Sequence, residues 1–143
     1  MSDPLRHEVE VEVRYAETDQ MGVVHHANYL VWFELARTAL CARSGHPYAE
    51  IERLGYLLMV VGAQVHYRRG ARYGDRVRVV VWIERLRTRH LAFAYEVRRD
   101  AELLAHGRTE HVWVRRDDGR PTTMPTTLRE PFLALAGSAP PTA

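Results

Sequence analysis

The sequence predicts an α+β fold in which one antiparallel sheet wraps around a single long central helix. The first observation is the order of the elements, which is one strand, one long helix and then about four long strands in succession. Adjacent strands with one segregated helix are typical of α+β proteins rather than of alternating βαβ units. The second observation is that the helix is apolar around most of its circumference, so it should be surrounded by other elements. A sheet that curls around the helix is the simplest way to bury it.

The first strand and the two helices come early in the chain. Residues 8–14, EVEVEVR, alternate polar and apolar side chains, as a half-buried strand does. Residues 29–45, YLVWFELARTALCARSG, have the length and composition of a helix, and Gly45 is a usual stop signal. Residues 47–55, PYAEIERLG, predict a short second helix that ends at Gly55.

Four strand candidates fill most of the remaining chain. They are residues 56–69, 75–86, 90–100 and 103–116. Gly62 predicts a β-bulge in the first of them, and Asp118 with Gly119 predicts a hairpin-type turn after the last. Residues 126–135 predict a terminal helix. The apolar run VVVWI (79–83) is too apolar for a sheet face in water, which predicts a homo-oligomer through sheet or helix faces.

Length and composition limit the remaining possibilities. The 143 residues fit one domain, predicted to span residues 1–135 and to be followed by a flexible tail at 136–143. Cys41 is the single cysteine, so no internal disulfide is possible and a reducing compartment suits the chain. The N-terminus lacks the layout of a signal peptide, and no apolar run approaches the roughly 20 residues that span a bilayer. We therefore expect a cytoplasmic protein without a membrane span.

Arginine supplies all of the basic charge. The net charge is +2, and all 20 basic residues are arginine. Because a guanidinium can donate two hydrogen bonds to one phosphate, the excess of basic residues suits binding of a nucleic acid or a phosphorylated cofactor. It fits a merely charged surface as well. Arg85, Arg87 and Arg89 stand at the turn between two strands, where they could hold a phosphate or pyrophosphate. Charge that keeps an exposed turn soluble explains them equally well.

Residues 15–37, YAETDQMGVVHHANYLVWFELAR, are not typical of plain scaffold. Asp19 lies where the chain must turn between strand and helix, and Gly22 permits that turn. The helix begins around His26 to Asn28, and the unpaired N–H groups at such a terminus suit a developing oxyanion. A carboxylate just before it can act as a general base or nucleophile on a carbonyl polarised there. A turn role for Asp19 and a helix-cap role for Asn28 remain the alternatives.

Other catalytic arrangements are absent from the sequence or weakly indicated by it. His25 and His26 should face different ways on a helix or strand, and no third ligand has a sensible spacing, so no metal site is predicted. The sequence has neither a G-x-S-x-G nucleophile elbow nor a glycine-rich phosphate loop. Cys41 falls within the apolar helix, where an inert thiol is expected. Asp19 remains the candidate acid.

The stretch RYAETDQMGVVHHANYLVWFELAR resembles the motif of the 4-hydroxybenzoyl-CoA thioesterase family of hotdog-fold acyl-CoA thioesterases. It is most similar to the bacterial branch associated with the Tol–Pal envelope system, which typically reads Y-x-D-T-D-x-x-G-V-V-Y-H-x-N-Y before an aromatic-rich helix. The matching positions are Tyr15, Thr18, Asp19, Gly22, Val23, Val24, His26, Asn28 and Tyr29. The hotdog fold is a long sheet wrapped around one helix, so the resemblance extends over most of the chain.

The resemblance implies an acyl-CoA thioesterase that releases a carboxylic acid and free coenzyme A without a cofactor or metal. Asp19 would be the catalytic carboxylate, as nucleophile or as base, and the His26 N–H would polarise the thioester carbonyl. The substrate-binding residues would be Gly22, Val23, Val24, His25, Asn28 and Tyr29. The nucleotide end of coenzyme A would meet Arg87, Thr88 and Arg89. The site would form between two subunits of a homotetramer, a dimer of dimers.

Three positions depart from the family pattern. Glu17 replaces the first aspartate of D-T-D, His25 replaces a tyrosine, and Gly70 stands where relatives often have proline. None of them is expected to touch Asp19, but His25 could change which acyl group is accepted. The acyl group itself stays open among aromatic, short-chain and long-chain esters, as does the choice between coenzyme A and a carrier protein.

Three rival functions also remain. Hydration or dehydration of an acyl thioester would need an acid–base pair in a motif that the sequence lacks. A non-catalytic acyl-CoA binding or sensor module would fit an aspartate held in a water-free pocket. An RNA-binding domain would use the arginines, but the chain has no clustered aromatics at stacking positions, so no nucleic acid partner is expected.

Overall fold

The computed structural model of the chain describes residues 3–137, and its elements follow the predicted order. The strands are β1 (His7–Glu12), β2 (Tyr56–Tyr67), β3 (Arg76–Leu86), β4 (His90–Arg99) and β5 (Glu102–Arg115). The helices are α1 (Asn28–Ala42), α2 (Tyr48–Arg53) and α3 (Arg129–Ala136), with 3₁₀ turns at Tyr15–Glu17 and Thr126–Leu128. Residues 138–143 of the predicted tail lie outside the described residues. The α+β class is confirmed, while the domain boundary stays a prediction.

All five strands form one antiparallel sheet in the order β1-β3-β4-β5-β2, so β1 and β2 are its edges. Alternate residues of β3 and β4 face the core and are buried: Val77, Val79, Val81, Ile83, Leu91, Phe93, Tyr95 and Val97. Burying a large apolar side chain of this kind contributes roughly 1.5–3 kcal/mol. The register between β2 and β5 shifts between Val60 and Gly62, which confirms the predicted bulge.

Helix α1 packs against the sheet through its aromatic residues. Phe33 is fully buried and stacks on Tyr95 of β4, with ring centroids 4.1 Å apart and planes only 4° apart. Gly107 of β5 makes this close approach possible. A Cβ atom at Gly107 would lie 2.8 Å from Cε2 of Phe33 and 2.2 Å from the carbonyl oxygen of Gln64 on β2. The position therefore requires the absence of a side chain.

The sheet covers only one side of α1. Leu30, Val31 and Leu35 on its other side are 39%, 49% and 53% exposed. The expectation that the helix is surrounded is therefore wrong for a single chain. The sequence shows how much of the circumference is apolar, but it does not show on which sides packing partners lie. The exposed stripe is a surface that a second chain could cover.

A small polar cluster lies inside the core under α1. The Thr109 hydroxyl is 2.6 Å from the Tyr95 hydroxyl and 2.8 Å from Nε2 of His111, and all three residues are buried. Burial lowers the pKa of His111 to about 4, and the charge of nearby Arg37 acts in the same direction. His111 is therefore uncharged near neutral pH, which suits a position beside a guanidinium.

The outer face of the sheet at β3 is covered in part by the chain's own charged side chains. Val80 is only 5% exposed, and the guanidinium of Arg6 lies 3.9 Å from the ring centroid of Trp82. Arg6 also forms an ion pair with Glu96, at 3.5 Å. This face is therefore less apolar than VVVWI suggested, and it does not itself call for a partner. Among residues 3–137, none of the helices has the length and hydropathy of a membrane span.

Candidate active site

The segment between β1 and α1 contains a tight turn that places Asp19. Thr18 and Val24 form an isolated antiparallel bridge, and the Asp19 N–H donates to the carbonyl of Val23 at 2.9 Å. Gly22 closes the turn by donating its N–H to the Asp19 carbonyl at 3.0 Å, with a φ of +79°. A side chain would be strained at that φ, so the predicted role of Gly22 in the turn is confirmed.

One oxygen of the Asp19 carboxylate accepts a hydrogen bond, and the other oxygen is open to a substrate or water. Oδ1 accepts the N–H of Met21 at 2.9 Å, which fixes the side chain relative to the turn. No donor among residues 3–137 hydrogen-bonds to Oδ2, and the residue is exposed. An open carboxylate oxygen of this kind can attack a carbonyl carbon or remove a proton from water.

His26 supplies an N–H group at the start of α1. The helix begins at Asn28, and the His26 N–H has no acceptor within the described part of the chain. The His26 carbonyl accepts the Tyr67 hydroxyl at 3.0 Å, which helps to fix the orientation of the loop beside this N–H. A free N–H beside the positive end of a helix can stabilise an oxyanion.

Asp19 and His26 line the same cleft, which has a volume of about 290 Å³. Its other lining residues are Val23, Val24, Tyr29, Tyr67, Arg68, Arg69 and Gly70. The structure thus brings five predicted site residues, Asp19, Val23, Val24, His26 and Tyr29, together with a wall that the sequence analysis missed. That wall follows β2 and is held by the Leu104 carbonyl, which accepts the N–H groups of Arg68 and Arg69 at 2.8 and 3.0 Å. No local pattern in the sequence indicates that residues 67–70 lie against residues 19–29.

Gly70 and Val23 meet closely at this cleft. A Cβ atom at position 70 would lie 2.6 Å from Cγ1 of Val23. A larger residue at position 70 would therefore displace the Val23 side chain, which itself lines the cleft. The departure of Gly70 from the family's frequent proline thus bears on the shape of the cleft rather than on Asp19.

A second, more open groove of about 720 Å³ also reaches Asp19. It is lined by Tyr15, Ala16, Thr18, Gln20, His25 and Asn28 together with Asp19. His25 lines this groove and His26 lines the first, and their rings stack with centroids 4.2 Å apart. Asp19 therefore lies where two separate grooves meet.

Two expectations about this segment are corrected. The rings of His25 and His26 stack although each ring lines a different groove, because the two residues lie in a turn rather than in a helix or strand. The described residues nevertheless contain no group of three or more possible metal ligands. Asn28 is not the helix cap but the first residue of α1, and its side-chain amide donates to the Glu17 carbonyl at 2.9 Å.

The predicted coenzyme A contacts lie far from Asp19 within one chain. Arg87, Thr88 and Arg89 form the turn between β3 and β4, whereas the Asp19 loop contacts the segment before β3, where the Val24 N–H donates to the Ala71 carbonyl. The 11 residues of β3 separate these two ends, which corresponds to about 35 Å at 3.3 Å per residue. The turn 87–89 and Asp19 of one chain are therefore not brought together.

Comparison with known proteins agrees with this fold. A family model described as "Thioesterase-like superfamily" matches residues 13–132. The chain is 41% identical over 113 residues to the Bacillus subtilis protein named "Putative acyl-CoA thioesterase YneP", covering 78% of this chain and 82% of that one.

Two solved structures show the same likeness in three dimensions. A hypothetical protein from Thermus thermophilus is 37% identical with a TM-score of 0.87, covering 92% of this chain and 98% of that one. A DHNA-CoA thioesterase from Staphylococcus aureus is 34% identical with a TM-score of 0.80, covering 82% and 80%. The chain therefore belongs to the thioesterase-like superfamily and is, as its sequence predicts, a thioester hydrolase of the hotdog fold.

Proposed function

We propose that the chain is an acyl-CoA thioesterase, which uses water to convert an acyl-CoA into a carboxylic acid and free coenzyme A. The observation that carries the proposal is that the open carboxylate oxygen of Asp19 and the unpaired N–H of His26 belong to residues that line one cleft. The name of the Bacillus subtilis relative supports the substrate class.

The chemistry assigns a part of the reaction to each group. The thioester carbonyl oxygen accepts the His26 N–H at the start of α1, where the helix dipole favours negative charge. Asp19 then either attacks the carbonyl carbon or takes a proton from the water that attacks it. The carbon–sulfur bond breaks, and coenzyme A leaves as a thiolate that takes up a proton. If Asp19 attacks, water hydrolyses the resulting anhydride and frees the carboxylate, so both routes give the same products.

The two grooves at Asp19 suit the two arms of a thioester. The smaller cleft has apolar and aromatic residues in its walls beside Arg68 and Arg69, with Tyr29 and Tyr67 packed edge to face at 5.1 Å between ring centroids. We assign the acyl group to this cleft and the pantetheine arm to the open groove. Aromatic acyl groups fit such walls best. This assignment is supported by the Staphylococcus aureus relative, which is named a DHNA-CoA thioesterase. The assignment of the chain to the Tol–Pal branch is supported only by the motif at residues 15–29.

The experiment that tests the function is thiol release from a panel of acyl-CoA esters. The panel contains benzoyl, 4-hydroxybenzoyl and dihydroxynaphthoyl esters and straight-chain C2–C16 esters. We expect turnover with kcat/KM highest for aromatic esters. Preference for an aliphatic ester would overturn the acyl assignment alone. Binding of acyl-CoA without thiol release from any ester would overturn the enzyme proposal in favour of a sensor module.

A homo-oligomer with the predicted dimer-of-dimers arrangement is part of the proposal. The edge strand β2 exposes Met59, Val60 and Val61 in succession, and α1 exposes its apolar stripe. An open edge with apolar side chains favours pairing with a second chain. A second copy could also bring the turn 87–89 toward another chain's Asp19, as the coenzyme A assignment requires.

The mass in solution checks this part of the proposal. Light scattering should give four times the mass of one chain, and Val61→Arg on the β2 edge should shift the protein to smaller species. Leu54→Arg is the matched control, because Leu54 is similarly exposed, at 47%, but follows α2 and lies outside β2 and the α1 stripe. A wild-type monomer at micromolar concentration would contradict the oligomer.

A further inference from the structure

Glu17 is a buried carboxylate beside the site that touches neither groove. It ends the 3₁₀ turn before Asp19 and is only 4% exposed, and it is the one acidic residue that is buried among residues 3–137. It does not line the cleft or the open groove. A carboxylate is costly to bury unless its oxygens are hydrogen-bonded, so its partners should explain why it is there.

Both carboxylate oxygens of Glu17 accept hydrogen bonds from fixed donors. Oε1 accepts the backbone N–H of Arg14 at 2.8 Å, and Oε2 accepts the indole N–H of Trp32 at 2.9 Å. Trp32 lies in the second turn of α1 and is almost fully buried. The side chain of Glu17 therefore joins the end of the β1 segment to the body of the helix.

The backbone of Glu17 holds the far end of the same loop. Its carbonyl accepts the N–H of His25 at 2.7 Å and the side-chain amide of Asn28 at 2.9 Å. Asp19 follows Glu17 by two residues, and His26 follows directly after His25. The buried Glu17 thus holds both ends of the loop that carries the Asp19 carboxylate and the His26 N–H.

We infer that Glu17 is a positioning residue, which sets the placement of the Asp19 carboxylate relative to the His26 N–H through its bonds to Trp32, Arg14, His25 and Asn28. This inference rests on the proposed thioesterase function for its kinetic consequence. The structural consequence, a fixed loop 18–27, does not depend on the reaction.

The hydrogen bonds that Glu17 accepts from Arg14 and Trp32 explain why a carboxylate is needed at this position. Two N–H donors bond to Glu17, and a carboxylate offers an acceptor to each while its charge also pairs with the Arg14 guanidinium, 3.5 Å from Oε1. A glutamine has the same shape but only one acceptor oxygen, so its NH₂ group must face one of the two donors. The buried Trp32 indole or the partly buried Arg14 N–H then loses its partner, and the loop can relax away from α1. Displacements of about 1 Å in such a site can lower rates by as much as 100-fold.

The test compares Glu17→Gln with three other variants. Glu17→Asp keeps both acceptor oxygens, and Trp32→Phe removes one donor. Glu12→Gln makes the same chemical change at an exposed position of β1. We expect Glu17→Gln to lower kcat by about 10- to 100-fold with KM changed less than about 3-fold. Glu17→Asp should retain more activity than Glu17→Gln, and Glu12→Gln should match wild type.

The double variant Glu17→Gln/Trp32→Phe tests the coupling directly. Because Phe has no N–H to oppose the glutamine amide, the double variant should lose no more activity than Glu17→Gln alone. Rates are measured well below each variant's unfolding midpoint, so that unfolded protein does not contribute. A kcat for Glu17→Gln within about 3-fold of wild type, or losses that multiply in the double variant, would overturn the inference.

A second readout separates this inference from the proposed function. In ¹H–¹⁵N spectra, Glu17→Gln should shift the Trp32 indole resonance, which is identified by its loss in Trp32→Phe, and should shift or broaden the amide of His26. If wild type hydrolyses no ester but these resonances move, the thioesterase proposal fails and the positioning role stands. If the His26 amide is unchanged in folded Glu17→Gln, the positioning role fails whatever the turnover.

Discussion

Asp19→Asn is expected to lower kcat/KM for the best acyl-CoA ester by about two or more orders of magnitude without unfolding the protein. An amide can neither attack the thioester carbonyl nor remove a proton from water, and loss of a base costs roughly 10²–10⁴-fold. The loop should keep its shape, because an asparagine oxygen can still accept the Met21 N–H that Oδ1 accepts now. Thiol release and thermal unfolding, measured on the same preparation, check both expectations.

Asp118→Asn is the matched control for this change. The Oδ1 atom of Asp118 accepts the N–H of Arg120 at 2.9 Å, two residues on, which is the local arrangement that Asp19 makes with Met21. Asp118 lies in the turn after β5 and lines neither groove, so this control should keep full activity. If Asp19→Asn kept activity within about 10-fold of wild type, another group would have to activate the water. Detection of acylated Asp19 by mass spectrometry during turnover would select the nucleophile role over the base role.

Gly107→Ala is expected to cause a large loss of stability. The new Cβ would lie 2.2 Å from a backbone oxygen of β2 and 2.8 Å from the buried ring of Phe33, so either the strand pair or the helix must move. Overpacking of this kind costs about 1–3 kcal/mol and occasionally more, and we expect the upper end because one contact is with backbone. A loss of about 3 kcal/mol corresponds to a Tm lowered by roughly 6–12 °C for a chain of this size. Urea and thermal unfolding measure the change.

Gly62→Ala is the appropriate comparison for this prediction. Gly62 lies on the neighbouring strand β2, but the three atoms nearest to a Cβ there all belong to the side chain of Glu110, with its carboxylate oxygen nearest at 3.1 Å. That flexible side chain can move, so the cost should stay below that of Gly107→Ala by a clear margin. Equal destabilisation by the two variants would show that the approach of Phe33 to the sheet is not what makes Gly107 necessary.

The parts of the fold that could be predicted are those set by local periodicity. Alternation along β3 and β4 identified the buried face correctly, because a strand places successive side chains on opposite sides. The pairing of β1 with β3, and the position of β2 at an edge, were not predicted, since they depend on contacts between distant segments. For α1, the number of apolar residues was informative, but Leu30, Val31 and Leu35 lie on a side that the sheet does not cover.

In the candidate site, too, locally determined features could be predicted and features that depend on distant contacts could not. Asp19, Gly22 and His26 could be proposed from a short stretch of sequence because the turn and helix start that place them are local. The lining residues after β2 could not, because they reach the cleft only through the folded sheet. Glu17 was noted as a departure from a pattern, but its burial and its bond to Trp32 depend on how α1 docks.

The proposed chemistry and the wall of the cleft come from two different segments of the chain. The groups proposed to react and the hydrogen bonds of Glu17 all lie within residues 14–32, whereas much of the cleft wall comes from residues 67–70. Substitutions at Arg68 or Arg69 in the wall can therefore change which acyl group is accepted without removing a hydrogen bond of Asp19 or His26, whereas Tyr67 also holds the His26 carbonyl.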